Sequence, residues 1–268
     1  LFVEWWVLWF VWILAGEVKN MAGHSKWKNI QHRKGRQDAL RGKIFAKVSR
    51  EITVAARNGS DPELNQRLRL AIAKARANNM PNDNIERAIK KGSGEEGGGD
   101  YETIMYEGYG PGGVAVMVEA LTDNRNRTAA DVRHIFSKRG GNLGEAGCVS
   151  WMFSRQGLLV IEKEQTNATD DNLLLLALEA GAEDVEVTAD TFQITTAPES
   201  FEEVKETLES KGEVFTTAEV TMLPENTVEL TGDLIDNMLA LIDALEDNDD
   251  VQNVYANFEA DDADWENY

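Results

Sequence analysis

Apolar residues at Leu40, Ile44, Phe45, Val48, Ile52 and Ala55 recur at intervals of three and four. That is the period of one helix face, and it predicts a helix over 38–58 with Gly59 placed to stop it. Arg41, Lys43, Lys47, Arg50 and Arg57 fall largely off the stripe and so face water or a ligand. Asp61-Pro62-Glu63 reads as N-cap, first-turn proline and first-turn acid of a second helix running to about Ala77, with Leu64, Leu68, Ala71, Ile72 and Ala75 inward. A third, shorter helix follows Pro81, where Asp83 and Glu86 have capping-box spacing and Ile85 and Ile89 supply the apolar face. Three short amphipathic helices predict a small bundle. Gly92-Ser93-Gly94-Glu95-Glu96-Gly97-Gly98-Gly99 cannot pack and reads as a flexible linker that marks a domain boundary.

Beyond the linker, strand patterns alternate with helical ones. Strands are expected at 114–121 and 149–153, with a helix over 128–139 between them, capped by Thr128 and Asp131 and ended by Gly140-Gly141. A compact series follows: strand 158–161, helix 171–180, strands 185–188 and 191–195, helix 199–211 and strand 214–222. That βαββαβ order is the split-βαβ pattern of a ferredoxin-like sandwich. A strand near Thr227, a helix over 233–245 and a strand over 251–257 would complete a second such unit begun at Val114. The predicted class is therefore α+β: an N-terminal three-helix bundle plus two ferredoxin-like α/β sandwich domains, one inserted in the other. The boundaries drawn are 21–98 for the basic helical domain with its linker, 99–155 with 223–260 for a discontinuous α+β domain, 156–222 for the inserted one, and 261–268 for an acidic tail that frays.

Residues 1–20, LFVEWWVLWFVWILAGEVKN, hold four of the seven tryptophans. The apolar run is interrupted by Glu4 and has no basic leading region, so it suits neither a membrane span nor a secretory signal. The preferred reading is a translated upstream stretch or cloning scar before Met21; a membrane or partner anchor is the competing one.

Charge changes the picture. The chain's formal net charge of -20 argues against a polyanionic partner only on average. Residues 21–91 hold 17 Lys and Arg against 6 Asp and Glu, whereas residues 92–268 hold 9 against 39. Such a split fits one dedicated anion-binding module on an acidic chain, or else an ordinary solvated helical surface. Within it, residues 22–36 lack a helical stripe but are dense in cations: His24, Lys26, Lys28, His32, Arg33, Lys34 and Arg36 surround Trp27. A basic strand with a stacking aromatic suits single-stranded or irregular nucleic acid, where stacking contributes about 1 to 3 kcal/mol per base. A basic leader whose Trp27 docks on the bundle is the alternative. Arg125 and Arg127 stand where a helix begins and could bind phosphate there, or pair with nearby carboxylates. The expected nucleic-acid contacts are thus His24, Lys26, Trp27, Lys28, His32, Arg33, Lys34, Arg36, Arg41, Lys43, Lys47, Arg50, Arg125 and Arg127.

Other chemistry is not indicated. His24 and His32 have no cysteine nearby and no ligand spacing, so no metal is expected, and His134 reads as a surface histidine. Gly108-Tyr109-Gly110-Pro111-Gly112-Gly113 lacks the Gly-Lys-Ser/Thr ending of a phosphate loop and reads as a tight turn into Val114. Cys148, the one cysteine, excludes an internal disulfide framework, has no partner histidine for nucleophilic chemistry, and fits a reducing, cytoplasmic setting. No catalytic site, cofactor or small-molecule substrate is expected.

At these residues the chain closely resembles the YebC/PmpR family, which includes a mitochondrial translational activator of cytochrome oxidase. The matching pieces are Met21-Ala22-Gly23-His24-Ser25-Lys26-Trp27, His32-Arg33-Lys34, Arg41-Gly42-Lys43-Ile44-Phe45, Tyr106-Glu107-Gly108-Tyr109-Gly110-Pro111-Gly112-Gly113, Asn124-Arg125-Asn126-Arg127-Thr128, and Phe136-Ser137-Lys138-Arg139-Gly140-Gly141-Asn142-Leu143-Gly144. They span roughly 21–260. The resemblance implies a three-domain α+β protein with a cytoplasmic role in gene expression. Family members are described both as DNA-binding transcriptional regulators and as ribosome-associated translation factors, so DNA and ribosomal RNA both stand as partners. Residues 1–20 depart from the family pattern, and Cys148 stands in a loop where members vary. A protein-interaction scaffold whose basic bundle docks on acidic partners is a third reading.

Overall fold

In the computed structural model the described residues are 41–94 and 101–260. The basic leader 22–36, the hydrophobic extension 1–20 and the acidic tail 261–268 lie outside them.

Helix α1 (Arg41–Ala56), α2 (Gln66–Ala77) and α3 (Asn82–Gly92) form the expected bundle. Its core is Val48, Ile52, Ala55, Leu68, Ile72, Ala75, Ile85 and Ala88, with Ile44, Phe45 and Ile89 packed against it. Three local expectations are corrected. Asp61 closes a turn through Glu63 N–H at 2.9 Å, but α2 starts later, because the Asn65 side chain accepts from Leu68 N–H and donates to the carbonyls of Ala55 and Gly59. A helix continued straight from Asp61 would forfeit those bonds, and Leu64, expected inside, is 89% exposed. The Asp83–Glu86 box does not form, since Pro81 is the N-cap and no side-chain cap bond is made. Gly92 is not free linker but the last residue of α3, pressed so close to α1 that a Cβ would meet the Thr53 carbonyl and the Ala56 methyl.

The body holds two four-stranded antiparallel sheets. The inserted unit is β4 (Phe153–Glu162), α5 (Asp170–Glu179), β5 (Asp184–Val187), β6 (Thr191–Thr196), α6 (Phe201–Ser210) and β7 (Thr217–Pro224), in the order β5-β6-β4-β7. That is the ferredoxin-like arrangement, with Leu159, Ile161, Phe192 and Ile194 facing Leu173, Val204 and Leu208 of its helices. The expected strand 149–153 is instead a short 3-10 turn (Ser150–Met152) that feeds directly into β4.

The surrounding unit is permuted. Its strands are β1 (Glu102–Tyr109), β2 (Ala115–Thr122), β3 (Asn142–Leu143) and β9 (Val251–Ala256), ordered β3-β1-β2-β9, with α4 (Arg125–Lys138) and α7 (Asp233–Glu246) on one face. The place expected for a strand near Thr227 is taken by β1, which precedes β2 through a hairpin at the glycine-rich turn. The strand near Thr227 is β8 (Val228–Glu229), which pairs instead with β10 (Phe258–Glu259) in a separate two-stranded parallel ladder. Val116, Val118, Val132, Phe136, Ile235, Met238, Ile242 and Val254 make the core beneath the helices. Ala115 and Met117, on the other face of β2, are covered by Val149, Phe153 and Met222, which fastens the inserted unit to its host.

Candidate nucleic-acid interface

Helix α1 carries two stripes. Ile44, Val48, Ile52 and Ala55 point into the bundle, while Lys43, Lys47 and Arg50 follow the same three- and four-residue spacing on an adjacent face, with Arg57 just past the helix end. The structure turns that second stripe onto the body, at the corner where α7 ends. Lys43 Nζ donates to the Asp247 carboxylate at 2.8 Å and its carbonyl at 3.3 Å, and Lys47 Nζ to the Glu246 carbonyl at 2.7 Å. Arg50 donates to the Asp249 carbonyl and reaches the Asp250 carboxylate at 3.3 Å, and Arg57 donates to the Tyr101 carbonyl at 2.9 Å. Carbonyls at a helix C-terminus lack intrahelical donors and carry the negative end of the helix dipole, so cations suit them. Burial lowers the Lys47 ammonium to about 8, with Lys43 and Lys74 adding repulsion and Glu246 and Asp247 opposing it. Lys43, Lys47 and Arg50, expected to face a nucleic acid, are thus occupied within the chain. The side chain of Arg41 lies outside the described set.

Asp250 is the pivot on the body side. Its buried carboxylate accepts from Thr128 Oγ1 at 2.8 Å, Thr122 Oγ1 at 3.3 Å and Arg127 Nη2 at 2.9 Å. Burial pushes this carboxyl up, but the bonds from Arg127 and Thr128 and the charges of Arg127 and Arg50 outweigh it and hold it low. The α4 terminus is also corrected here: Asn124, not Thr128, is the N-cap, accepting from Arg127 N–H at 3.1 Å. Thr128 falls inside the helix, with its hydroxyl spent on Asp250. Of the two alternatives for the arginines, Arg127 takes carboxylate pairing, with Asp123 at 3.0 Å and Asp250. Arg125 is exposed at the first turn of α4. A polar cleft of about 380 Å³ flanks this corner between Arg50, Tyr101, Asp131 and Asn248.

Further cations exposed on the described helical domain include Arg67, Arg69 and Arg76 of α2 and Arg87, Lys90 and Lys91 of α3, of which Arg69 donates to the Pro62 and Glu63 carbonyls and Lys91 lies 6.0 Å from the Tyr101 ring. They escaped sequence reasoning because they share their helices with an ordinary amphipathic pattern. Only the regional charge count pointed to them. Residues 41–94 hold twelve Lys and Arg against five Asp and Glu, and residues 101–260 hold nine against thirty-two.

A second arrangement was also missed. Glu107, on β1, is 6% exposed, yet its carboxylate accepts from the backbone N–H groups of Gly147, Val149 and Ser150, each at 2.8 Å. Burial pushes its pKa up and the backbone donors bring it down, with a net lowering. The loop it fastens presents Trp151, 64% exposed, and both Trp151 Nε1 and Tyr109 Oη donate to the Cys148 carbonyl at 3.2 Å. Burial and the neighbouring Glu107 charge push the Cys148 thiol up, away from nucleophilic reactivity. Among the described residues no group of three His, Cys, Asp or Glu could hold a metal, and no helix is long and apolar enough to cross a membrane. His134 is exposed on α4.

Fold and site together define a three-part α+β protein in which a basic helical domain docks by its charges on an acidic pair of nested ferredoxin-like units. Known proteins share this build. A model of the TACO1/YebC N-terminal domain matches residues 25–95, and one of the TACO1/YebC second and third domains matches residues 101–258. The chain belongs to the TACO1/YebC family. A probable transcriptional regulatory protein of Geobacillus thermodenitrificans is 63% identical over 240 residues, 89% of this chain and 97% of that one. One from Natranaerobius thermophilus is 58% identical over 245 residues, 91% and 98% of the two chains. The crystal structure of a conserved hypothetical protein from Aquifex aeolicus matches with a TM-score of 0.72 at 50% identity, covering 84% of this chain and 93% of that one.

Proposed function

We propose that this protein is a non-enzymatic, nucleic-acid-binding regulator of gene expression that acts on DNA; its relatives are named probable transcriptional regulatory proteins. The observation that carries the reading is the segregation of charge: a helical domain with a net positive count on a body with a large negative one. A phosphate backbone is attracted to the first and repelled by the second, so contact is confined to one part of the molecule. Arg67, Arg76, Arg87 and Lys90 on the open surface, Arg125 at the start of α4, and the leader cations Lys26, Lys28, Arg33, Lys34 and Arg36 supply that contact.

A second reading, binding of ribosomal RNA to assist translation, is favoured by the leader's composition. Trp27 among cations, without a helical stripe, suits unpaired bases better than a duplex groove. Crosslinking in cells followed by sequencing of the bound nucleic acid, with ribosome co-sedimentation alongside, separates the two. Promoter fragments alone support the transcriptional reading. Ribosomal RNA without DNA enrichment replaces it with the ribosomal one, and recovery of neither refutes both.

A further inference from the structure

The α1 stripe donates to oxygen atoms where α7 ends: three backbone carbonyls, of Glu246, Asp247 and Asp249, and two carboxylates, of Asp247 and Asp250, with the Tyr101 ring 6.0 Å from the Arg50 guanidinium. A row of anionic and partly negative oxygens is what a phosphate backbone would also offer these side chains. The apolar cores on either side stay separate, since the bundle core ends with its own helices and the body core with α4, α7 and their sheet. What holds α1 to α7 is therefore polar. Its outermost pair is wet, with Lys43 39% and Asp247 62% exposed, so it is weak and screened by salt. Lys47 is held at a cost of desolvation that release would recover.

We propose that the α1–α7 joint is a latch opened by polyanions: the acidic corner occupies Lys43, Lys47 and Arg50 as a surrogate for phosphate, and bound nucleic acid displaces it. This inference rests on the nucleic-acid reading above. The same three cations serve both partners, so closure and binding exclude each other. Exchange of one set of oxygens for another is nearly balanced, which keeps the threshold low. Opening also separates the basic stripe from the acidic body, whose field opposes any phosphate that approaches the closed joint.

The test uses the full chain carrying nitroxides at Asn58→Cys and Asn167→Cys in a Cys148→Ser background, with polyuridylate and a mixed-sequence DNA duplex as probes. The distance distribution between the labels is expected to shift or broaden when a probe binds. In unlabelled protein, Asp247→Asn is expected to tighten probe binding about two- to five-fold over Asp171→Asn, a charge-matched change at an exposed position of α5, as loss of one surface pair predicts. Binding with an unchanged distance, or no advantage of Asp247→Asn over Asp171→Asn, overturns the latch and leaves the nucleic-acid reading intact. Failure to bind either probe overturns that reading and the latch with it.

Discussion

Replacing Glu107 by glutamine changes one oxygen into an NH2 group and should loosen the loop that carries Cys148 and Trp151. Glu107 Oε1 accepts from Gly147 N–H and Oε2 from both Val149 and Ser150 N–H, so either orientation of the amide sets a donor against a donor. Hydrogen bonds to a charged acceptor contribute about 1.5 to 3 kcal/mol each, and a buried donor left unsatisfied costs about 1 to 3 kcal/mol. The neutral amide recovers part of the desolvation that burial of the carboxylate imposes. A net loss of about 2 to 4 kcal/mol follows for the host unit. The assay is urea denaturation followed by circular dichroism, together with the rate at which a thiol reagent modifies Cys148, the chain's single cysteine. A lower midpoint at unchanged slope and faster modification are expected. The wild-type contribution should also depend on pH. The folded carboxyl is held below its unfolded value, so its stabilisation is present above about pH 4.3 and is lost as pH falls through the folded pKa. A destabilisation under about 0.5 kcal/mol with unchanged Cys148 reactivity would refute the reasoning, since surface substitutions alone produce that much.

Further outcomes follow from the joint and the bundle. Asp250→Ala removes the buried acceptor shared by Thr128, Thr122 and Arg127; Arg127 keeps Asp123 and Thr128 keeps the Asn124 carbonyl, so the body should lose about 1 to 2 kcal/mol, checked by denaturant midpoints, with Asn restoring part of the loss. Gly92→Ala puts a methyl against the Thr53 carbonyl and, at 2.7 Å, the Ala56 Cβ, and should cost the bundle about 1 to 3 kcal/mol, read as a lowered melting temperature. Lys47 titrates near 8 when docked, against about 10.4 when released, so raising pH through that window should strengthen the joint. The released amine binds a proton there that the docked one, beside Lys43, Lys74, Glu246 and Asp247, does not. Narrowing of the label distance distribution from the bottom to the top of that window would show it. Neutralising Arg33, Lys34 and Arg36 together should weaken nucleic-acid binding and lower its salt slope by about 0.7 to 0.9 per lost phosphate contact, measured by titration across ionic strength.

Local patterning was enough to place most helices and the whole inserted sandwich, because a 3.6-residue apolar stripe and a two-residue alternation are written in consecutive positions. It was not enough for β1. Glu102–Tyr109 shows an irregular burial pattern, with Glu107 buried and Tyr109 exposed, because that strand serves a carboxylate anchor and a loop as well as a core. Nor could periodicity choose the strand that fills the permuted sheet. β1 and β8 both mix polar and apolar residues, and the choice belongs to the β1–β2 hairpin and to Asn257, whose side chain ties Ala115 N–H at 2.7 Å to the returning chain at Asn226.

The sequence alone determined that the molecule is α+β, that its positive charge is concentrated before residue 92, and that its motifs resemble one family. What each cation faces was a tertiary matter. Lys43, Lys47 and Arg50 look in the sequence like residues pointing to a ligand. In the fold they meet the carbonyls where α7 ends, some 200 residues later. A helix terminus offers unpaired oxygens only once a helix is formed and brought alongside, and the spacing of charges along one helix holds no information about that.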